Sequence, residues 1–275
     1  MKHEYPIHLD IESTNACQLS CSICPRPRMT RPVGFMKWEL FKKIIDESTG
    51  KVKTCYLHQI GEPLLHRDII KFINYAENAG IKTSISTNGL ALIADKSMAL
   101  LDSKLGELSL CIDSLDKKTY DKIRIGSDYH IVMFNVMQFL QLAKENNNKT
   151  LKITIQLIKT EYNINETDKF KEFFNAKCAG LNHEILIKEF STFAGSVKDV
   201  GINTAILRFK CGKPFNTMTI NWDGSVVLCC RDYNNLTVID NVNNKSISDI
   251  WHGPEYILLR EKFKNKDFPE FCRSC

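Results

Sequence analysis

Six short apolar segments alternate with segments of helical periodicity through residues 7 to 190, with no long linker between them. This alternation restricts the fold more than any other feature of the chain. The apolar segments are 7–11 (IHLDI), 53–59, 81–87, 107–114, 151–158 (LKITIQLI) and 183–190. Helical spacing covers 36–46, 67–80, 96–104, 116–123, 129–146 and 166–176. Strands that alternate with helices predict a parallel α/β sheet with helices packed on it, closed or partly closed as a TIM-like (β/α)6 barrel. An open doubly wound sheet is the alternative. A chain of 275 residues can bury roughly three quarters of its unfolded surface, enough for one large core.

Polar punctuation falls just after the strands. A cysteine-rich loop follows the first, Gly61-Glu62-Pro63 the second, Ser86-Thr87-Asn88-Gly89 the third, and Asp113-Ser114 ends the fourth. Barrels assemble their sites from the loops at the carboxyl ends of the strands. These motifs are therefore expected to converge on one mouth.

After about residue 205 the pattern changes. Two apolar runs in 216–230 flank Asp223-Gly224, a hairpin signal. Ser246 with Asp249 three residues on reads as a helix start, Gly253-Pro254 breaks that helix, and 255–265 forms another. The division expected is 1–205 for the barrel and 206–275 for a small hairpin-plus-helix unit.

Hydrophobic residues make up 43% and charged residues 25%, which is ordinary for a globular protein. No run approaches the roughly 18 apolar residues of a membrane span. The N-terminus lacks the apolar stretch of a signal peptide. The expectation is a cytoplasmic protein. The charge of +5 is mild and its lysines are dispersed, so nucleic acid is not indicated.

Eleven cysteines are many for such a chain, and in a reducing compartment they read as metal ligands or core residues. Cys55, Cys111 and Cys178 stand alone among apolar residues and read as core. The others form two groups. In the first, Cys17, Cys21 and Cys24 have no fourth thiol nearby. His58 or His66 would complete a zinc site. Alternatively, three thiolates hold a 4Fe–4S cluster and leave one iron open to a ligand.

The CxxxCxxC spacing after the first strand of such a barrel resembles the radical S-adenosylmethionine (SAM) superfamily. The resemblance implies that Gly61, Glu62 and Pro63 bind the methionine amino group. Ser86 and Asn88 would approach SAM, and Asp113 and Ser114 would lie near its ribose. Arg124 would pair with its carboxylate. It also implies reductive cleavage of SAM to a 5′-deoxyadenosyl radical, with an electron donor such as flavodoxin or ferredoxin. Radical chemistry of this kind calls for a dry, apolar barrel interior.

The second group, Cys211, Cys229, Cys272 and Cys275, has the order C-x12-G-x4-C then CxxC. It resembles the auxiliary-cluster domain called SPASM or its shorter form, Twitch, implying a closed auxiliary 4Fe–4S cluster. A zinc ribbon is the plainer use of four thiolates. Cys230 reads as a core cysteine, because neighbouring strand residues face opposite ways.

For function, the resemblance points to the aminocyclitol-dehydrogenase type of butirosin biosynthesis: oxidation of a carbinol on a sugar or aminocyclitol, with the auxiliary cluster accepting an electron. Asp232, His58 and Arg231 are the candidate catalytic groups. Arg26, Arg28 and Arg31 in the cysteine loop suggest a phosphorylated or nucleotide-linked substrate; a basic surface loop fixed by its prolines and glycine is an equally good reading. The alternatives are a peptide-modifying enzyme, disfavoured because strand one starts at once, and a zinc-stabilised scaffold without catalysis.

Overall fold

The computed structural model describes residues 3–146, 149–197 and 211–273. The boundary expected at 205/206 falls outside them.

Six parallel strands form as the alternation predicts: β1 (His8–Ile11), β2 (Thr54–Tyr56), β3 (Lys82–Thr87), β4 (Glu107–Cys111), β5 (Lys152–Ile158) and β6 (His183–Lys188). Between them run α1 (Trp38–Ser48), α2 (Ile69–Asn78), α3 (Ala94–Leu101), α4 (Lys117–Ile123), α5 (Tyr129–Asn146) and α6 (Thr167–Lys177). The C-terminal part adds α7 (Lys213–Asn216), β7 (Thr217–Ile220), β8 (Ser225–Val227), β9 (Val238–Asn241), α8 (Ile247–Trp251), α9 (Pro254–Lys264) and α10 (Glu270–Arg273).

The C-terminal strands continue the same sheet, which runs β6-β5-β4-β3-β2-β1-β7-β8-β9. β7 pairs parallel with β1, with His8 opposite Thr217 and Asp10 opposite Thr219. Then β7, β8 and β9 pair antiparallel. The sheet ends at β6 on one side and β9 on the other, so it is a partial barrel. Gly224 closes the expected hairpin turn with φ at +87°, a conformation that L side chains rarely adopt.

The two faces of the sheet differ. Leu9, Ile11, Cys55, Leu57, Ile85, Leu108, Leu110, Ile153, Ile155, Met218 and Ile220 point to the helices and are fully or almost fully buried. They meet apolar helix faces, such as Phe41 of α1, which stacks on Phe72 of α2 at 4.0 Å between ring centroids. Each buried aliphatic or aromatic side chain of this size contributes about 1.5–3 kcal/mol. The intervening positions carry His8, Asp10, Tyr56, Ser84, Ser86, Ser109, Cys111, Thr154, Gln156, Thr217 and Thr219. The register sets these side by side, for example Asp10 beside Tyr56, Tyr56 beside Ser84, and Ser109 beside Thr154.

Parallel sheets are ordinarily apolar on both faces. Here one face is a polar wall, and the dry apolar interior expected from the chemistry is not what the chain builds.

Candidate active site

The cysteine loop leaves β1 and is held from several sides. Asn15 accepts from Gly34 N at 2.8 Å and donates to Pro32 O at 2.9 Å. Ser20 N and Ser22 N donate to Ile125 O and Ile123 O. Glu62 N donates to Ala16 O at 2.8 Å, bringing the GEP turn against the loop. Gly61 is required there, since a Cβ would sit 2.1 Å from Thr14 O.

Cys17, Cys21 and Cys24 are drawn together. Burial pushes all three thiols up, Cys24 to about 12; Cys17 feels Cys21, and Cys24 feels both Cys21 and Cys17. Polar hydrogens approach the sulfurs. Leu19 N lies 3.5 Å and Asn88 Nδ2 3.7 Å from Cys17 Sγ, and an Arg124 terminal nitrogen lies 4.0 Å from Cys21 Sγ. Donors at Cys17 and Cys21 and the fixed Arg124 cation are groups that would stabilise thiolates once a cluster is bound.

The supporting residues are themselves fixed. Arg124 pairs with Asp113 at 2.5 Å, both buried. Asp113 sits at φ +69° and accepts from Ile158 N at 2.7 Å. Glu62 is buried and accepts from Leu64 N, Thr87 Oγ1 and Asn88 N at 2.8–3.0 Å. Its carboxylate thus orders the strand-three loop. Burial still pushes its pKa up. Pro63 starts a short turn of 3-10 helix after it. Ser114 is buried and donates to Glu166 Oε2 at 2.7 Å and Asp116 O at 3.0 Å. That commitment takes its hydroxyl away from the ribose contact expected of it.

Beside the cysteine loop, a cavity of about 670 Å³ opens over the polar wall. Its lining includes His8, Asp10, Tyr56, His58 and Gln59, Ile23 of the cysteine loop, and Lys213, Cys230 and Arg231 of the C-terminal part. His58 bonds Ser86 Oγ through Nε2 at 3.1 Å, and its Nδ1 is buried with no hydrogen-bond partner among the described residues. Burial pushes its pKa down to about 4.

Cys211 is exposed and Cys229 buried, while Cys272 on α10 is half-buried. Lys213, two residues after Cys211, feels Cys230 and Cys229. That places the segment beginning at Cys211 beside the turn after β8. Cys275 lies outside the described residues.

Two known families match the chain. The Radical SAM superfamily matches residues 11–174. The SPASM iron–sulfur cluster-binding domain matches residues 211–275.

The chain belongs to the radical SAM superfamily.

A cofactor-modifying protein for tungsten-containing aldehyde ferredoxin oxidoreductase from Pyrococcus furiosus is 24% identical over 98% of this chain and 86% of its own length. An S-adenosylmethionine-dependent nucleotide dehydratase from Selenomonas ruminantium is 29% identical over 59% of each chain. In fold, BtrN in complex with AdoMet and 2-DOIA matches with a TM-score of 0.66 at 17% identity, covering 100% of this chain and 94% of that one. Streptococcus suis SuiB bound to precursor peptide SuiA gives 0.74 at 17% identity, covering 94% and 67%.

As a radical SAM protein with a SPASM domain, the chain has a SAM-binding 4Fe–4S cluster, auxiliary iron–sulfur binding and SAM as its cofactors. Held by Cys17, Cys21 and Cys24, such a cluster would supply the electron that cleaves SAM. No helix of the described residues is long and apolar enough to cross a membrane.

Several residues have other uses than those expected. His66 is no zinc ligand, since Nε2 bonds Met36 O at 2.9 Å and Nδ1 accepts from Asp68 N at 3.1 Å. Asp232 is buried and accepts from Leu236 N, Thr237 N and Thr237 Oγ1 at 2.6–2.9 Å. It clamps its own loop. Arg231 faces the cavity, yet a guanidinium holds its proton and cannot serve as a base. Cys230 is not a core residue. β8 ends at Val227, so strand alternation does not reach it, and it lines the cavity.

The loop arginines are likewise engaged. Arg26 donates to Asn15 O and Leu19 O, Arg28 to Ser196 O, and Arg31 to Glu12 and Tyr233 O. They are tethers rather than a phosphate site.

The polar wall, the cavity and the position of Cys230 were missed by sequence reasoning. The signal was present in the alternation of His8/Asp10, Ser84/Ser86 and Thr154/Gln156 with aliphatic neighbours.

Proposed function

We propose that this enzyme abstracts a hydrogen atom from a carbinol carbon of a small polyhydroxylated molecule, of the sugar or cyclitol class, and oxidises it to a ketone. The observation that carries this reading is the polar wall. Hydroxyl, amide, imidazole and carboxylate groups stand with Ile23, Ile158, Phe190 and Phe193 around a cavity of about 670 Å³, room for a compact polyol with polar groups to orient it.

Asn88 and Arg124 stand at the SAM side of the site, where Ser86 is joined to His58. His58 is the proposed base. It is neutral at ordinary pH, and its Nδ1 has no hydrogen-bond partner among the described residues. A radical centre beside a hydroxyl makes that proton far more acidic, so a weak neutral base suffices. The carbinol carbon loses a hydrogen atom to the deoxyadenosyl radical, the hydroxyl loses its proton to His58, and the remaining electron goes to the auxiliary cluster. The electron donor that starts the cycle is proposed to be of the flavodoxin or ferredoxin class.

The test is turnover with sugars and cyclitols deuterated at their carbinol carbons. The reading expects deuterium in 5′-deoxyadenosine and a product lighter by two hydrogens. An isomer of unchanged composition would replace oxidation with a redox-neutral outcome. Deuterium transfer from a peptide but from no polyol would overturn the substrate class.

A further inference from the structure

One buried hydroxyl has no use in the fold. Tyr256 on α9 is fully buried, and its hydroxyl has no hydrogen-bond partner among the described residues. A buried phenol ordinarily finds one, and leaving it without one is costly. Its ring is fixed by two neighbours. Trp251 of α8 lies 5.0 Å away between ring centroids. The guanidinium carbon of Arg260 stands 4.0 Å from the centroid of the Trp251 ring and 4.9 Å from that of Tyr256.

The surroundings of this hydroxyl are those of the second cysteine group. Tyr256 and Cys229 belong to one apolar core, and Cys272 packs against it. Arg260 Nε donates to Pro214 O at 2.9 Å, and Nη1 to Trp251 O at 2.7 Å. These bonds tie α9 to α7, which starts two residues after Cys211. Burial pushes the pKa of the phenol up, so it keeps a hydrogen to donate. The ionisable groups it feels are Arg260, Asp10 and Cys229. Arg260 has no acceptor. Asp10 Oδ2 already accepts from Lys213 at 2.9 Å and from Thr219 Oγ1 at 3.4 Å. Of the three, that leaves the sulfur of Cys229.

We propose that Tyr256 donates its hydroxyl hydrogen to the auxiliary cluster at the Cys229 sulfur, and so raises the potential at which that cluster accepts an electron. A hydrogen bond to a ligand sulfur stabilises the reduced cluster, which carries one more negative charge than the oxidised one. Cys229 is 9% exposed among apolar side chains, surroundings that disfavour added charge unless a donor meets it. Arg260 acts through Tyr256 as a positioning residue. The tuning rests on the cysteine group alone. Its use in catalysis rests on the oxidative reading above, in which the substrate radical passes one electron to this cluster.

The experiment is a redox titration of the reconstituted enzyme without SAM, followed by electron paramagnetic resonance, with and without Tyr256→Phe. The midpoint that persists when Cys17, Cys21 and Cys24 are all changed to Ala belongs to the auxiliary cluster. Tyr256→Phe keeps the ring and its packing, so iron per chain and unfolding temperature do not fall. The auxiliary midpoint moves to a more negative potential, by the equivalent of a three- to tenfold weaker reduction, about 30–60 mV. Electron–nuclear double resonance in H2O and D2O shows an exchangeable hydrogen coupled to the reduced auxiliary cluster, and the variant lacks it. The midpoint of the other cluster stays in place.

An auxiliary midpoint that stays or rises in Tyr256→Phe, or survival of that hydrogen signal, would overturn the assignment and leave the oxidative reading standing. Loss of iron from Tyr256→Phe would also overturn it, since the hydroxyl would then serve cluster assembly. A lowered midpoint in an enzyme that oxidises no polyol would uphold the tuning and overturn its catalytic use. Absence of a second midpoint would overturn both.

Discussion

Arg31 grips the carboxylate of Glu12 through both terminal nitrogens, Nη1 lying 2.7 Å from Oε2, and both side chains are buried. Arg31 also donates to Tyr233 O, and Glu12 accepts from Trp222 N. One ion pair thus fastens the cysteine loop, β1 and the C-terminal hairpin together. Breaking such a pair leaves a buried charge, a loss of about 3–5 kcal/mol. Arg31→Met is expected to unfold at a markedly lower temperature. Burial raises the pKa of Glu12, so the native chain binds its proton more readily than the unfolded one. Stability tied to that proton is present below the unfolded value and lost as pH rises through the folded one. The deficit of Arg31→Met, whose Glu12 lacks its countercharge, should be larger at about pH 8 than at about pH 5. Equal deficits in calorimetry at both would refute this.

Iron analysis separates the two cysteine groups. The reconstituted chain should hold about eight irons, falling to about four when Cys17, Cys21 and Cys24 are all changed to Ala. The complementary change of Cys211, Cys229 and Cys272 should also leave about four. Zinc in place of iron in the second group would give it a structural role and remove the proposed electron acceptor.

Asp232 predicts a loss of stability without a loss of chemistry. Asp232→Ala strands two backbone N–H groups and the Thr237 hydroxyl. The expected cost is about 2–3 kcal/mol of unfolding free energy. SAM cleavage per folded, iron-loaded chain should stay near the wild-type rate below the melting range. A large fall in that rate at unchanged stability would restore Asp232 as a catalytic candidate.

His58 titrates far below its ordinary range, from 6.5 down to about 4. A histidine with a lowered folded pKa binds its proton more readily in the unfolded chain. Stability should therefore fall as pH drops from 6.5 toward about 4. His58→Gln should flatten that part of the unfolding profile. The same variant should still cleave SAM yet lose product formation by about 10²- to 10⁴-fold, the range for losing a general base. Product formed at the full rate would exclude His58 as the base.

Gly61→Ala tests the seam between the GEP turn and the cysteine loop. The added Cβ would meet Thr14 O at 2.1 Å and Thr14 C at 2.7 Å, both backbone atoms. The loop must move, and iron loading at Cys17, Cys21 and Cys24 should fall with it. Full loading would mean that the turn and the loop are not rigidly coupled.

By itself the sequence determined the order of strands and helices, the position of the cysteine loop after β1 and the hairpin at Gly224. These are local consequences of periodicity, spacing and backbone freedom. It also determined which superfamily the chain belongs to, because a short ligand spacing constrains chemistry directly. What only the tertiary structure decided is where the polar side chains end up. Asp232 and Ser114 read as site residues in sequence, but neighbours bring donors and acceptors that occupy them. Cys230 read as core because strand alternation was extended three residues too far. The junction of β7 with β1 joins segments about 200 residues apart. It places Lys213 on Asp10 and brings the C-terminal part onto the polar wall. No local pattern encodes that pairing, since it depends on which strand edge remains free once the first six strands have assembled.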